Sequence, residues 1–146
     1  MIEVKELVKS FDGFRALDGL NMNVPKGAVY GLVGPNGAGK STAIRHMAGI
    51  YRQDSGEVLI DGEPVYENPE LKGRIAYIPD EIFYFTQARI KDMAVFYSGV
   101  YPRFSMERFE KLGAAFGLDA NRTMRKLSKG MQKQAAFWLA LAQCPV

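Results

Sequence analysis

A chain of 146 residues with 47% hydrophobic content has the size and apolar fraction of one folded domain, which argues against disorder. Its net charge of +3, from 19 basic and 16 acidic residues, is too small an excess to point to nucleic acid or anionic lipid, but it leaves room for a small anionic ligand. The lone cysteine, Cys144, cannot form an internal disulfide, and the charged start MIEVKELVKS has no apolar core for a signal peptide, so an intracellular chain is expected. Residues 134–146, an uncharged run as long as any in the chain, fall short of the roughly 20 apolar residues that cross a membrane.

In chain order, IEVKELV and GLNMNV alternate as strands do, and Pro25-Lys26-Gly27 is a turn after the second. AVYGLV is a short apolar strand closed by Gly34. Beyond the glycine-rich stretch that follows, Ile44, Met47, Ala48 and Ile50 fit one face of a helix, which Gly49 and the polar RQDSG bring to an end. EVLIDG makes a strand and a turn, and RIAYIP is a further strand stopped by Pro79. After that, Ile90, Met93, Ala94 and Tyr97 repeat at helical spacing, as do Phe109, Leu112 and Phe116 behind a Ser105 cap. A last helix starts at Ser128 and carries Met131, Ala135, Trp138 and Leu139. The organisation is therefore a strand-rich part, 1–80, and a mostly helical part, 81–146, with no repeat or linker.

The stretch Gly34-Pro35-Asn36-Gly37-Ala38-Gly39-Lys40-Ser41-Thr42 matches G-x-x-x-x-G-K-[ST] between a predicted strand and a predicted helix. Glycines let the backbone wrap closely so that successive N–H groups face phosphate oxygens, and the following helix adds the positive end of its dipole. Lys40 would reach the terminal phosphates and the Ser41 hydroxyl would ligate Mg²⁺. The alternative is a glycine-rich turn with a chance lysine. The guanine-reading N-K-x-D pattern is absent, which argues against a GTPase.

A second landmark is LSKGMQ, residues 127–132, at the start of the last predicted helix. Together with the phosphate loop it resembles the signature of an ABC ATPase, usually written L-S-G-G-Q. By itself it would read as a serine-capped helix. The resemblance implies an α/β P-loop NTPase with an N-terminal antiparallel β subdomain and a helical signature subdomain. It implies ATP and Mg²⁺ as ligands, and a head-to-tail dimer in which Ser128 and Gly130 of one subunit reach ATP held by the other. Lys129 and Met131 depart from the usual residues in a way that resembles bacterial exporter-type members.

The opening LVKSFDGFRALDGLNMNVPKG is similar to the family's, which places Phe11 where an aromatic stacks on adenine; core packing is the alternative, and Phe14 a weaker candidate. RIAYIPDE falls where the family has its Q-loop, with Asp80 in place of Gln or Glu. Asp80 is a candidate for the ion or the attacking water, a turn aspartate being the equal alternative and Glu81 a lesser contender. EVLIDG imitates a Walker B strand, but Gly62 after Asp61 makes a turn where a catalytic glutamate is needed. His46 is expected to be packed or solvated. The basic residues Arg122, Arg125, Lys126, Lys129 and Lys133 read as a solvated face, so no nucleic acid is expected. The aromatic run IFYFTQ, residues 82–87, suggests a surface for a partner, with core packing as the alternative.

The family continues past LALAQCP with a strand ending in Asp-Glu, a further loop and a switch histidine, and none of these occurs in the chain. The expectation is a fragment of a longer gene product that binds ATP better than it hydrolyses it. The C-terminal part of the core sheet would then be missing, leaving AVYGLV and RIAYIP without their usual neighbours. The resemblance implies an ABC ATP-binding subunit, of export type, working with a second such subunit and a membrane permease at the inner face of the cell membrane. The rivals are a soluble ABC ATPase acting on ribosome or DNA, and a non-catalytic ATP-binding module.

Overall fold

The computed structural model describes residues 1–143, so Cys144 lies outside them. The chain divides into two compact units, Met1–Lys72 and a second that begins at Gly73.

In the first unit, β1 (Ile2–Phe11) and β2 (Phe14–Val24) form an antiparallel hairpin. Asp12 and Gly13 between them both have positive φ, 46° and 82°, the conformation whose twist matches that of the flanking strands. β3 (Ser55–Ile60) pairs with the other side of β1, and the short β4 (Glu63–Pro64) returns along β3, giving the order β2-β1-β3-β4. The buried residues of β1 are Val4 and Leu7, three apart where strict alternation predicts two. A register shift between them inserts an extra residue, so the inward face slips by one. Leu17 and Met22 of β2 and Val58 and Ile60 of β3 are also buried. Each such side chain contributes about 1.5–3 kcal/mol when fully removed from water. The helix α1 (Lys40–Met47) and a single turn, α2 (Pro69–Lys72), complete the unit.

The second unit holds α3 (Ile90–Val100), α4 (Met106–Phe116), a 3-10 turn at Met124–Lys126 and α5 (Lys129–Ala142). Its core joins Ile90, Met93 and Ala94 to Phe109, Trp138 and Leu139. Ser105 caps α4 as expected, its Oγ accepting the Arg108 N–H at 3.1 Å, and the Ser105 N–H donates to the Ala142 carbonyl at 2.9 Å. The start of α4 is thereby fixed to the end of α5.

Two expectations change. AVYGLV and RIAYIP, read as strands that would lack their usual neighbours, join no sheet among the described residues, and Val29 and Val33 are 103% and 92% exposed. A strand is a pairing relation, and β-prone residues without a partner ladder form no sheet. The predicted inward face of α1 is only partly right: Met47 and Ala48 are half-buried, but Ile44 and Ile50 are exposed, and the buried residues are Ala43 and His46. The helix is apolar on more than one side, and it packs against β2 and β3.

Asp54 ties β1 to the segment before β3. Its two carboxylate oxygens accept from the Lys9 ammonium at 2.8 Å and the Ser10 N–H at 2.7 Å, and its own N–H donates to the Val8 carbonyl. The hydrogen bond from Lys9, and next that from Ser10, hold the Asp54 carboxyl below the usual carboxylate range. A depressed folded value means that this stabilisation is present above the ordinary value near 4 and is lost as pH falls through the folded one. Asp54→Asn is therefore expected to lower the urea midpoint at pH 7, and the gap from the parent protein should close below about pH 4.

Candidate functional site

The glycine-rich loop is delivered by β2. After Val24 the chain turns through Pro25-Lys26-Gly27, where the Ala28 N–H donates to the Pro25 carbonyl at 3.2 Å, then runs without regular structure to Gly34. A tight bend follows, with the Ala38 N–H donating to the Pro35 carbonyl at 3.3 Å and with φ of 85° at Gly37 and 80° at Gly39. Gly39 is the N-cap of α1, and no side chain caps the helix or places an acid in its first turn. The first bond into the helix is from the Ala43 N–H to the Gly39 carbonyl, at 2.8 Å. The N–H groups of Lys40, Ser41 and Thr42 thus have no helical acceptor and lie at the positive end of the dipole. Such an end is suited to an anion.

Two contacts hold the loop in this shape. A Cβ on Gly39 would lie 2.5 Å from the Ala16 carbonyl oxygen and 2.9 Å from Leu17 Cδ2, so the loop is seated on β2 as closely as a glycine allows. The Lys40 ammonium donates to the carbonyls of Gly34 and Pro35, both at 2.6 Å, and keeps one of its three hydrogens uncommitted. Ser41 is exposed and Thr42 half-buried. Among the described residues no cluster of three or more His, Cys, Asp or Glu could hold a metal by itself. An ion here would need phosphate oxygens and water beside the Ser41 hydroxyl.

Phe11 ends β1 in the same unit and is 37% exposed. Its ring meets Tyr51 edge-on at 5.5 Å, and the Lys9 ammonium lies over it at 5.4 Å. His46, expected to be packed or solvated, is packed: it is buried, with Nδ1 2.7 Å from the Thr42 carbonyl.

The remaining candidates belong to the second unit. Ser128 is the N-cap of α5, and its Oγ accepts the Met131 N–H at 3.3 Å, which leaves the hydroxyl hydrogen free to donate outward. Ser128 and Gly130 are both exposed, and a Cβ on Gly130 would meet nothing within 4 Å. Buried Leu127 and the Gln132 amide, which donates to the Met124 carbonyl at 3.2 Å, fix this turn from behind. Asp80 has a fully exposed side chain. Its backbone is held by Lys133 of α5, whose ammonium donates to the carbonyls of Pro79 at 2.8 Å and Asp80 at 2.9 Å. Sequence reasoning missed this grip and the Tyr51 contact, since neither has a local pattern. Asp61 sits in the β3–β4 turn and pairs with the N-terminal ammonium of Met1, so the Walker B imitation is a hairpin.

A family model described as "ABC transporter" matches residues 17–145. The chain belongs to the ABC transporter ATP-binding family. Its ABC relatives include the "Daunorubicin/doxorubicin resistance ATP-binding protein DrrA" of Streptomyces peucetius, 37% identical over 153 residues that cover 99% of this chain and 46% of that protein. The "Ribose import ATP-binding protein RbsA" of Lacticaseibacillus paracasei is 36% identical over 144 residues, 96% of this chain and 25% of the relative. The chain thus spans between a quarter and a half of these two proteins. A solved "ATP binding subunit of ABC transporter" superposes with a TM-score of 0.86 at 26% identity, over 99% of this chain and 63% of that one. The ATP-binding subunits of ABC transporters in general bind ATP with Mg²⁺, dimerise and work with a transmembrane permease. Among the described residues no helix is long and apolar enough to cross a membrane.

Proposed function

We propose that this chain is the ATP-binding part of an ABC exporter, in which MgATP closes two such domains head to tail and the closure drives a permease. The observation that carries the reading is the uncapped first turn of α1 behind the bend from Gly34 to Gly39, with the Lys40 ammonium folded over that bend. In it the backbone N–H groups and Lys40 hold the phosphates, Ser41 supplies a hydroxyl to Mg²⁺, and Phe11 stacks on the base. ATP supplies the anhydride bond whose cleavage is coupled to transport, and Mg²⁺ offsets its charge. Ser128 and Gly130 present a second helix N-terminus to the nucleotide of the partner subunit. Asp80, positioned by Lys133, takes the place of the family's Q-loop side chain.

The permease contact is assigned to the second unit, at the inner face of the membrane. There Phe83, Phe85 and Phe96 are exposed and touch one another, with ring centroids 5.0–6.4 Å apart. Phe83 and Phe96 border a cleft of roughly 340 Å³ that Ile82, Tyr97 and Tyr101 also line. An apolar patch of this kind is suited to a short helix from a partner. Lys129 and Met131 in the signature, with the similarity to a resistance protein, support export. The comparable similarity to a ribose import protein makes direction the part that needs its own test, namely whether loss of the gene raises retention of toxic compounds or lowers sugar uptake.

The dimer is tested in the full polypeptide that carries this sequence. With MgATP and hydrolysis blocked it should sediment as a dimer, Ser128→Arg should stay monomeric while still binding nucleotide, and Lys40→Ala should lose both. A parent protein that binds MgATP yet remains monomeric contradicts the reading.

A further inference from the structure

The ring of Phe11 is not a free platform. Lys9 lies over it at 5.4 Å and is itself anchored by Asp54 at 2.8 Å, while Tyr51 meets it edge-on at 5.5 Å. Tyr51 is in turn braced from α1. The His46 ring packs against it at 5.7 Å and 70°, and the Arg45 guanidinium lies over its face at 5.7 Å. His46 closes the path to the phosphate loop, because its Nδ1 donates to the carbonyl of Thr42, at the loop's last position. A continuous set of contacts therefore runs from the exposed ring at the end of β1 to the helix turn that carries Lys40 and Ser41.

We infer that Tyr51 is a positioning residue for the nucleotide base: it holds Phe11 in one orientation at a distance from the phosphate loop that α1 fixes. The inference rests on the reading of Phe11 as the base platform. Its physical basis is preorganisation. An aromatic ring at a strand end that is free to change rotamer must be immobilised when a base stacks on it, and that loss of freedom weakens binding. Tyr51 and Lys9 meet this cost in the folded protein, before the ligand arrives. The effect is specific to the base, because the triphosphate makes its contacts at the other end of the path.

The test compares ATP with inorganic tripolyphosphate, both with Mg²⁺, by calorimetric titration of the full polypeptide. Tyr51→Ala should weaken ATP about two- to tenfold, the range of one aromatic pair, and leave tripolyphosphate unchanged. Tyr51→Phe should restore ATP binding, since the ring is retained and only the hydroxyl is lost. Tyr51→Leu keeps the apolar volume should the alanine variant fold poorly, and it should match alanine in its selective loss. If Tyr51→Ala and Tyr51→Leu weaken both ligands equally, the role is merely structural and the inference fails. If Phe11→Ala weakens ATP and the Tyr51 variants do not, the base platform stands and the inference about Tyr51 is overturned. An unchanged ATP affinity in Phe11→Ala would remove the platform reading itself, and the inference with it.

Discussion

Lys40→Ala is expected to lower the affinity for MgATP by about a hundredfold, while leaving the melting temperature nearly unchanged. A charge-assisted hydrogen bond to phosphate is worth about 1.5–3 kcal/mol, and the one bond that the uncommitted Lys40 hydrogen can make amounts at the upper bound to about two powers of ten. In the structure the same ammonium donates to the carbonyls of Gly34 and Pro35. Both residues are exposed, so water can replace the lysine there at little cost to the fold. The two expectations separate a ligand-holding lysine from a loop-stapling one. Calorimetric titration and thermal unfolding, run on the same samples, check them together. A large fall in stability with unchanged affinity would assign Lys40 to the loop alone.

The largest expected loss of stability is at Trp138, where alanine should cost about 3–5 kcal/mol. The indole is 2% exposed and stacks on Phe109, with centroids 4.3 Å apart and planes within 7°, while Phe116 lies 6.1 Å away. Its Nε1–H donates to the Phe109 carbonyl at 2.7 Å, so the ring satisfies its one polar atom inside the core. Gly113 faces the ring so closely that a Cβ there would lie 3.0 Å from it, which shows how little space the helices leave. Truncation would open a cavity between α4 and α5 that rigid packing cannot fill. Urea unfolding followed by circular dichroism measures the loss. The parent protein can be followed by fluorescence as well, because Trp138 is its one tryptophan. Trp138→Phe should recover more than half of the loss, since it keeps an aromatic stack and gives up one hydrogen bond.

Features written in a few adjacent residues were legible. The Asp61-Gly62 turn, the serine caps at 105 and 128, and the glycine bend all depend on backbone preferences that one or two residues settle. Features that depend on distant partners were not. AVYGLV has the composition of a strand, yet composition cannot supply the neighbour that makes it one. The inward face of α1 depends on which side β2 and β3 cover, and the helix has apolar residues on both. Within the site, the loop from Gly34 to Thr42 announced itself by spacing. Tyr51 did not, since its meaning lies in a contact with Phe11, forty positions earlier in the chain.

The central claim is that residues 34–42 are where MgATP is held. It is tested most directly by recording backbone amide resonances of the full polypeptide during a titration with MgATP. The account predicts the largest shifts at the amides of Gly37, Gly39, Lys40, Ser41 and Thr42, with a smaller set at Phe11 and Tyr51, and no such pattern in Lys40→Ala. MgATP binding that leaves those five amides unmoved would place the nucleotide elsewhere and contradict the account.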